Sequence, residues 1–385
     1  MVIYIRTQGA QVVKEGRHLL VKKGDSVYHT LFVDKIQQIL VFGNVSLTPS
    51  ARNMVLRHGV DTVFLTKNGR YMGRFANHEP KNVFLRKRQF NLLDDREFGL
   101  QFCRRVVAGK LVNMATLLMR IKRTKNAQEA GRKARETRDL LARVEVATGI
   151  DELRGLEGRG SALYFAGFRL GFQGDAGFHR RVRRPPTDPV NAVLSLLYTF
   201  LFNRVYTAVR VNHLDPYPGF LHVVDYGRHS LVLDLMEEFR SIVADTLTLS
   251  LFNLHILQKE DFETRGTTLA REPPEAEALV PDVATDVYGL GAEGLDTDAF
   301  DVPVQRMSDA PVDNDADSRA LPAVKLKTAA FQRVVENFER KLAAEFYYEP
   351  YAKKITLADA IIAQAGQYRK CVEGEMAVYQ PLVLK

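Results

Sequence analysis

Two hydrophobic rhythms divide the chain. Over its first 75 residues, short apolar stretches such as VIYIRT, QVVKEG, HLLVKK, YHTLFVD and QQILVFG are separated by turn residues. Their content of Val, Ile, Leu, Phe and Tyr predicts β-strands. One stretch departs from this pattern. LTPSARNMVLRHGV reads as a short helix, capped by Ser50 and stopped at Gly59. DTVFLTKNGRYMGRF then predicts a strand pair that turns at Lys67, Asn68 and Gly69. Residues 1–75 are therefore expected to form a compact β domain with one short helix.

From about Asn82 the apolar period lengthens to roughly 3.6 residues. NVFLRKRQFNLLDDREFGLQFCRRVVAGKLVNMATLLMRI is a long amphipathic stretch, with Asp94 and Gly109 as candidate breaks. Further helices are expected near 126–147, 155–173, 188–212, 230–249, 327–347 and 355–371. Little beyond Phe90 reads as strand, so residues 82–385 predict an all-helical domain, joined to the first by ANHEPK at 76–81. The fold class expected is α+β. Residues 266–323 fit neither domain; rich in Asp, Glu, Pro, Gly and Ala without an apolar period, they predict a disordered or loosely attached insertion.

Charge sharpens this division. The chain of 385 residues carries a formal +8, yet residues 271–319 hold thirteen Asp or Glu against three Arg, leaving +18 on the rest. Such an excess suits a polyanion, most commonly nucleic acid, although a basic surface alone does not require one. Hydrophobic residues make up 46% and charged residues 26%, as in an ordinary globular protein. No apolar run reaches the ~18 residues of a membrane span, and MVIYIRTQGA reads as a strand rather than a leader. No membrane partner is expected. With only Cys103 and Cys371, neither a disulfide framework nor a thiolate zinc site is expected, which suits a reducing cytoplasm.

Candidate chemistry lies in three distant segments. GLEGRGSALYF contains Glu157, YPGFLH ends on His222, and SLVLDLMEEFR carries Asp234 and Glu237. Carboxylates with an imidazole suit a hard divalent cation such as Mn²⁺ or Mg²⁺. Glu157 is expected in the first turn of a helix, where Gly155, Gly158 and Gly160 leave room for a nucleic-acid strand to approach; a helix dipole alone would also favour an acid there. A lone histidine such as His222 is commonly a satisfied core or surface residue. Asp234 and Glu237 share one side of a helix whose opposite stripe is Leu231, Leu235, Phe239 and Ile242, an arrangement that also describes a solvated flank. Glu238 points further round.

Arginines supply a second set. FHRRVRRPPTDPVNA places Arg180, Arg181, Arg183 and Arg184 before Pro185 and Pro186, with Thr187 or Asp188 able to cap the next helix. Guanidinium groups on a stiff segment suit phosphates. Arg104, Arg105, Lys110, Arg120, Lys122, Arg123 and Lys125 form another basic cluster, which also fits a plain solvated helix face. No phosphate-binding GxxxxGK[ST] loop, GxSxG elbow or HExxH motif is present.

Taken in order, LRKRQF, KLVNMATLL, GLEGRGSALYF, RRPPTDPVNAVLSLLYTFL, LDPYPGFLH, GRHSLVLDLMEEFRSIVAD and LKTAAFQRVVENFERKL resemble the CRISPR-associated protein one family, the endonuclease and integrase of CRISPR adaptation. The flanks look most like its subtype I-C branch. The resemblance implies a β-sandwich-like N-terminal domain that dimerises and a helical catalytic domain. It implies metal binding by Glu157, His222 and Glu237, with Asp234 beside them as a further catalytic residue; many relatives have Asp where this chain has Glu237. Arg180, Arg181, Arg183, Arg184, Lys110 and Arg120 would contact DNA. The implied partners are a homodimeric copy, CRISPR-associated protein two, a DNA duplex with 3′ overhangs and CRISPR repeat DNA. Two other readings keep the same residues: a metal-dependent nuclease acting on branched DNA or repair intermediates, and a non-catalytic DNA-binding scaffold.

Overall fold

A computed structural model describes residues 2–66, 71–75, 82–174, 176–182, 186–265 and 323–383. The turn expected at Lys67–Gly69, the linker at 76–81, Arg183, Arg184 and the acidic stretch up to residue 322 lie outside the described residues.

The β-rich pattern of the first 75 residues resolves into two four-stranded sheets. One holds β1 (Val2–Ile5), β5 (Gln38–Phe42), β7 (Asp61–Leu65) and β8 (Tyr71–Phe75), in the order β1-β5-β7-β8. The other holds β2 (Ala10–Glu15), β3 (His18–Lys23), β4 (Ser26–Phe32) and β6 (Val45–Leu47), in the order β4-β3-β2-β6. Strand β5 pairs in parallel with both neighbours, and every residue in it is buried. Its near-continuous apolar run, QILVF, reflects burial on both faces. Ile39 and Val41 pack with Val12, Leu19 and Val21 of the second sheet, whereas Leu40 and Phe42 face the helices.

The intervening helix α1 (Pro49–Arg57) is capped by Thr48, whose Oγ1 accepts from the Ala51 N–H at 3.3 Å. Ser50 is therefore not the cap. Pro49 occupies the first helical position, where its missing N–H costs nothing.

Residues from 83 onward are mainly helical: α2 (Val83–Asn91), α3 (Arg96–Lys125), α4 (Gln128–Val146), α5 (Ile150–Phe168), α6 (Pro189–Val211), α7 (Ser230–Phe239) and α8 (Thr246–Asn253). The break falls at residues 92–95, where Asp95 caps α3. Gly109 does not interrupt that helix; it makes room for Pro381. Arg240–Asp245 forms one π-helical stretch between α7 and α8. Helix α6 is long and apolar enough to cross a membrane by composition, but 56% of its apolar window is buried within this fold.

The second region is not all-helical. Antiparallel β9 (Phe262–Arg265) and β10 (Ala323–Leu326) flank the acidic stretch, and β11 (Glu345–Tyr348) pairs with β12 (Lys353–Thr356) between α9 (Thr328–Leu342) and α10 (Leu357–Glu373). These strands are four residues long, too short to show a period-2 pattern beside strong helices.

The sheet and the helices meet closely. Phe42 lies edge-on to Phe200 and Phe331, the Tyr4 hydroxyl donates to Glu339 at 2.5 Å, and Gln38 donates to the Thr207 hydroxyl at 2.8 Å. The helical side of β1-β5-β7-β8 is thus roofed by α6 and α9.

Candidate metal and nucleic-acid site

Helices α3, α5 and α7 converge, and each contributes one charged side chain at the same place. Lys110 comes from α3, Glu157 from α5 and Glu237 from α7. The Lys110 ammonium pairs with Glu157 and lies 2.5 Å from Glu237 Oε2. Glu157 also accepts from the Ser161 hydroxyl one turn on, at 2.9 Å, and Glu237 Oε1 accepts from Arg240 Nε at 3.0 Å. Glu237 is 4% exposed. Glu157 lies in the middle of α5, because that helix begins at Ile150 rather than near 155. It is therefore not in the first turn, and the helix dipole does not account for it.

His222 enters from the loop between α6 and α7, with Nε2 lying 3.7 Å from Glu237 Oε1. Asp234 lies behind it, fully buried. One oxygen of Asp234 accepts from the N–H groups of Phe220 and Leu221 at 2.7 and 3.1 Å; the other accepts from the His222 N–H at 2.9 Å and contacts its Nδ1 at 2.7 Å. Arg154 closes the loop from the other side, donating to the carbonyls of Leu221 and Phe220 at 2.5 and 3.0 Å. Asp234 thus holds the loop and orients the imidazole, in the manner of carboxylates that set a histidine's tautomer. It is not a solvated flank; α7 is buried all round.

The neighbouring acid behaves differently. Glu238 accepts from the Tyr379 hydroxyl at 2.7 Å, from Gln364 Nε2 at 3.1 Å and from the Leu382 N–H at 2.6 Å, so it ties the C-terminal segment to α7. Burial pushes its carboxyl up to about 7 against these donors. At Glu237 burial acts the same way, but Arg240, Lys110 and His222 outweigh it and hold the carboxyl at about 2. Burial likewise opposes the charge on Lys110, and Glu157 and Glu237 overcome it, raising the ammonium above its ordinary value.

Among the described residues, no three of His, Cys, Asp or Glu are drawn together tightly enough to hold an ion as they stand. Glu157 and Glu237 are instead bridged by an ammonium. The donor set nevertheless suits a hard divalent cation: two carboxylates already gathered round a positive charge, and an imidazole with its Nδ1 held from behind.

The arginines separate. Arg181 turns inward: its guanidinium donates to the Val182 carbonyl at 2.7 Å, to Asn191 at 2.9 Å and to the Ser195 hydroxyl at 3.1 Å. Arg180 and Arg120 are exposed. Lys110 is an internal ion-pair partner, not a surface contact. Asp188, rather than Thr187, caps α6. Sequence reasoning missed Ser161, Arg240 and Arg154. The first two stand four and three residues beyond the acids they contact, so helical spacing could have found them; Arg154 acts on backbone, which leaves no pattern.

The family described as CRISPR associated protein Cas1 matches residues 3–273. The CRISPR-associated endonuclease Cas1 3 of Thermus thermophilus is 37% identical over 264 residues, 68% of this chain and 77% of that protein. The CRISPR-associated endonuclease Cas1 1 of Chlorobaculum tepidum is 33% identical, over 69% of this chain and 79% of that protein. Among solved structures, a casposase bound to integration product matches with a TM-score of 0.75 at 18% identity, covering 98% of this chain and 92% of the other. A CAS1 protein from Thermotoga maritima matches with 0.70 at 19% identity, covering 100% and 99%.

Proposed function

This chain belongs to the Cas1 family, and from that premise we propose that it is a metal-dependent DNA endonuclease and integrase of CRISPR adaptation. The observation that carries the reading is the meeting of Glu157, Glu237 and His222 at one place, although they lie on separate elements. Nothing in the packing of three helices requires a buried carboxylate and a second, part-buried one to face each other.

The reaction proposed is a transesterification. A 3′-hydroxyl of a short duplex gives up its proton and attacks a phosphodiester of the repeat; one P–O bond forms as another breaks, and a new 3′-hydroxyl leaves. One diester replaces another, so no external energy source is needed. Glu157, Glu237 and His222 would hold Mn²⁺ or Mg²⁺. Such an ion supplies charge neutralisation at the phosphoryl oxygens and orientation of the hydroxyl. The chain's own residues do the rest. Asp234 fixes the imidazole so that Nε2 faces Glu237, Arg240 keeps Glu237 ionised, and Arg154 holds the carbonyls of the His222 loop.

Partners follow from the same reading. A small CRISPR-associated partner of the protein-two type would assemble with the chain, and DNA with 3′ overhangs and the repeat would be its substrates. Dimerisation through the N-terminal region is supported by strand β4, which lies at a sheet edge and exposes Val27, Tyr28 and Phe32.

Glu157→Gln tests the proposal. The variant is expected to fold and to bind DNA as the unaltered chain does, while losing strand joining on a repeat-bearing plasmid supplied with Mn²⁺ and a short duplex. Branched products made by Glu157→Gln would sink the assignment. Free nicks without branched products from the unaltered chain would favour a repair-type nuclease.

A further inference from the structure

Lys110 stands where a cation would stand. We propose that its ammonium is a built-in counter-ion for Glu157 and Glu237, which a divalent metal ion must displace in order to bind. This rests on the metal-dependent reading above and adds a competitor inside the chain.

The Lys110 side chain is 6% exposed and leaves α3 directly toward the two acids. A buried carboxylate facing a second, part-buried one is unfavourable without a positive charge between them. The ammonium supplies that charge, so the site is electrostatically complete without a metal. A protonated amine has donors and no lone pair; it cannot join a metal's coordination shell, and it competes with a metal for the charge of the same two carboxylates.

The walls of the site do not depend on Lys110. Arg240 holds the other oxygen of Glu237, Ser161 donates to Glu157, and Asp234 with Arg154 fixes the His222 loop. The ammonium that lies 2.5 Å from Glu237 Oε2 is a rotatable point charge rather than a fixed fork of donors, so another cation can take its place. The lysine's flexible four-carbon stem lets the ammonium swing aside while the carboxylates stay.

The test is calorimetric titration of the full chain with MnCl₂ at fixed pH, paired with thermal unfolding in EDTA and in Mn²⁺. Lys110→Met and Lys110→Gln are expected to be less stable than the unaltered chain in EDTA. They should gain more in Tm from Mn²⁺ and bind it about tenfold more tightly or better, since a unit charge beside the ion is gone. Folded variants that bind Mn²⁺ no more tightly than the unaltered chain would overturn the proposal. So would variants that stay unfolded in Mn²⁺, because the metal would restore the missing charge. Glu157→Gln separates the two ideas. If the unaltered chain binds no Mn²⁺, or binds it as well with Gln at 157, the metal reading falls and the exchange with it. If binding depends on Glu157 but ignores Lys110, only the exchange falls.

Discussion

At the scale of single residues, four of the buried acids among the described residues are made different by their partners. Asp234 is held by backbone N–H groups and an imidazole, Glu237 by cations, Glu238 by neutral donors, and Asp245 by two phenols. The Tyr164 and Tyr198 hydroxyls donate to the two oxygens of Asp245 at 2.7 and 2.6 Å. Burial pushes this carboxyl up to about 6, while Tyr198, Tyr164, Arg240 and Arg181 work against that rise. Unfolded, the group titrates near 3.8. Between those values the folded chain keeps a proton that the unfolded chain has lost. Its contribution to stability is therefore complete below about pH 4 and is lost as the pH rises toward 6, on the order of 2–3 kcal/mol. Asp245→Asn should flatten that part of the profile, measured by urea unfolding across pH 4 to 7. An unchanged slope would mean that other groups set it. The acids at 234 and 237 are visible in the sequence by spacing, but the partners that divide their roles come from other elements.

At the scale of elements, helices were the most legible. The amphipathic period from 83 to 125, the cap at Asp188 and the arrest after residue 211 all follow from local rules. The start of α5 was misplaced because Gly155, Gly158 and Gly160 weaken the helical signal; two of them have open space where a Cβ would sit, and Gly160 meets Leu111. The π-helical stretch has no sequence signature. It is the element on which Arg240 and Asp245 sit. The short turn before His222 is the most demanding element. A Cβ on Gly219 would lie 2.5 Å from the Ser230 carbonyl carbon and 2.7 Å from the Leu231 nitrogen, both backbone atoms. Gly219→Ala is expected to cost about 2 kcal/mol or more and to shift the His222 loop off α7. Thermal unfolding would show the loss, and a variant as stable as the unaltered chain would refute the packing argument.

At the scale of the whole molecule, the two regions share a boundary. Phe42 and Tyr4 reach α6 and α9, so the sheet's helical face is part of the larger core. The hydrophobic pattern predicts a β region followed by helices, and that order holds. The net charge of +8, with a local −10 in 271–319, argues for a polyanion. What changes is which arginines can serve it. Arg181→Ala should lower stability by about 1–3 kcal/mol through its lost hydrogen bonds and leave the salt dependence of DNA binding intact. Replacing Arg180 and Arg120 together should reduce the slope of log K against log salt by about two. Fluorescence anisotropy at several salt concentrations measures both; a slope that moves with Arg181 alone would reverse the assignment.

The sequence by itself determined the class of fold, the family and the set of acids worth inspecting, because amphipathic period, capping and long ordered motifs are properties of neighbouring residues. Only the tertiary structure decided what those residues do. It made Asp234 a support for His222, drew Lys110 inward between Glu157 and Glu237, and sent Arg181 to Asn191. The physical reason is that a buried charge takes its role from whatever lies within a few ångströms of it. For these side chains, most of those partners come from other elements, across gaps in sequence that no local pattern records.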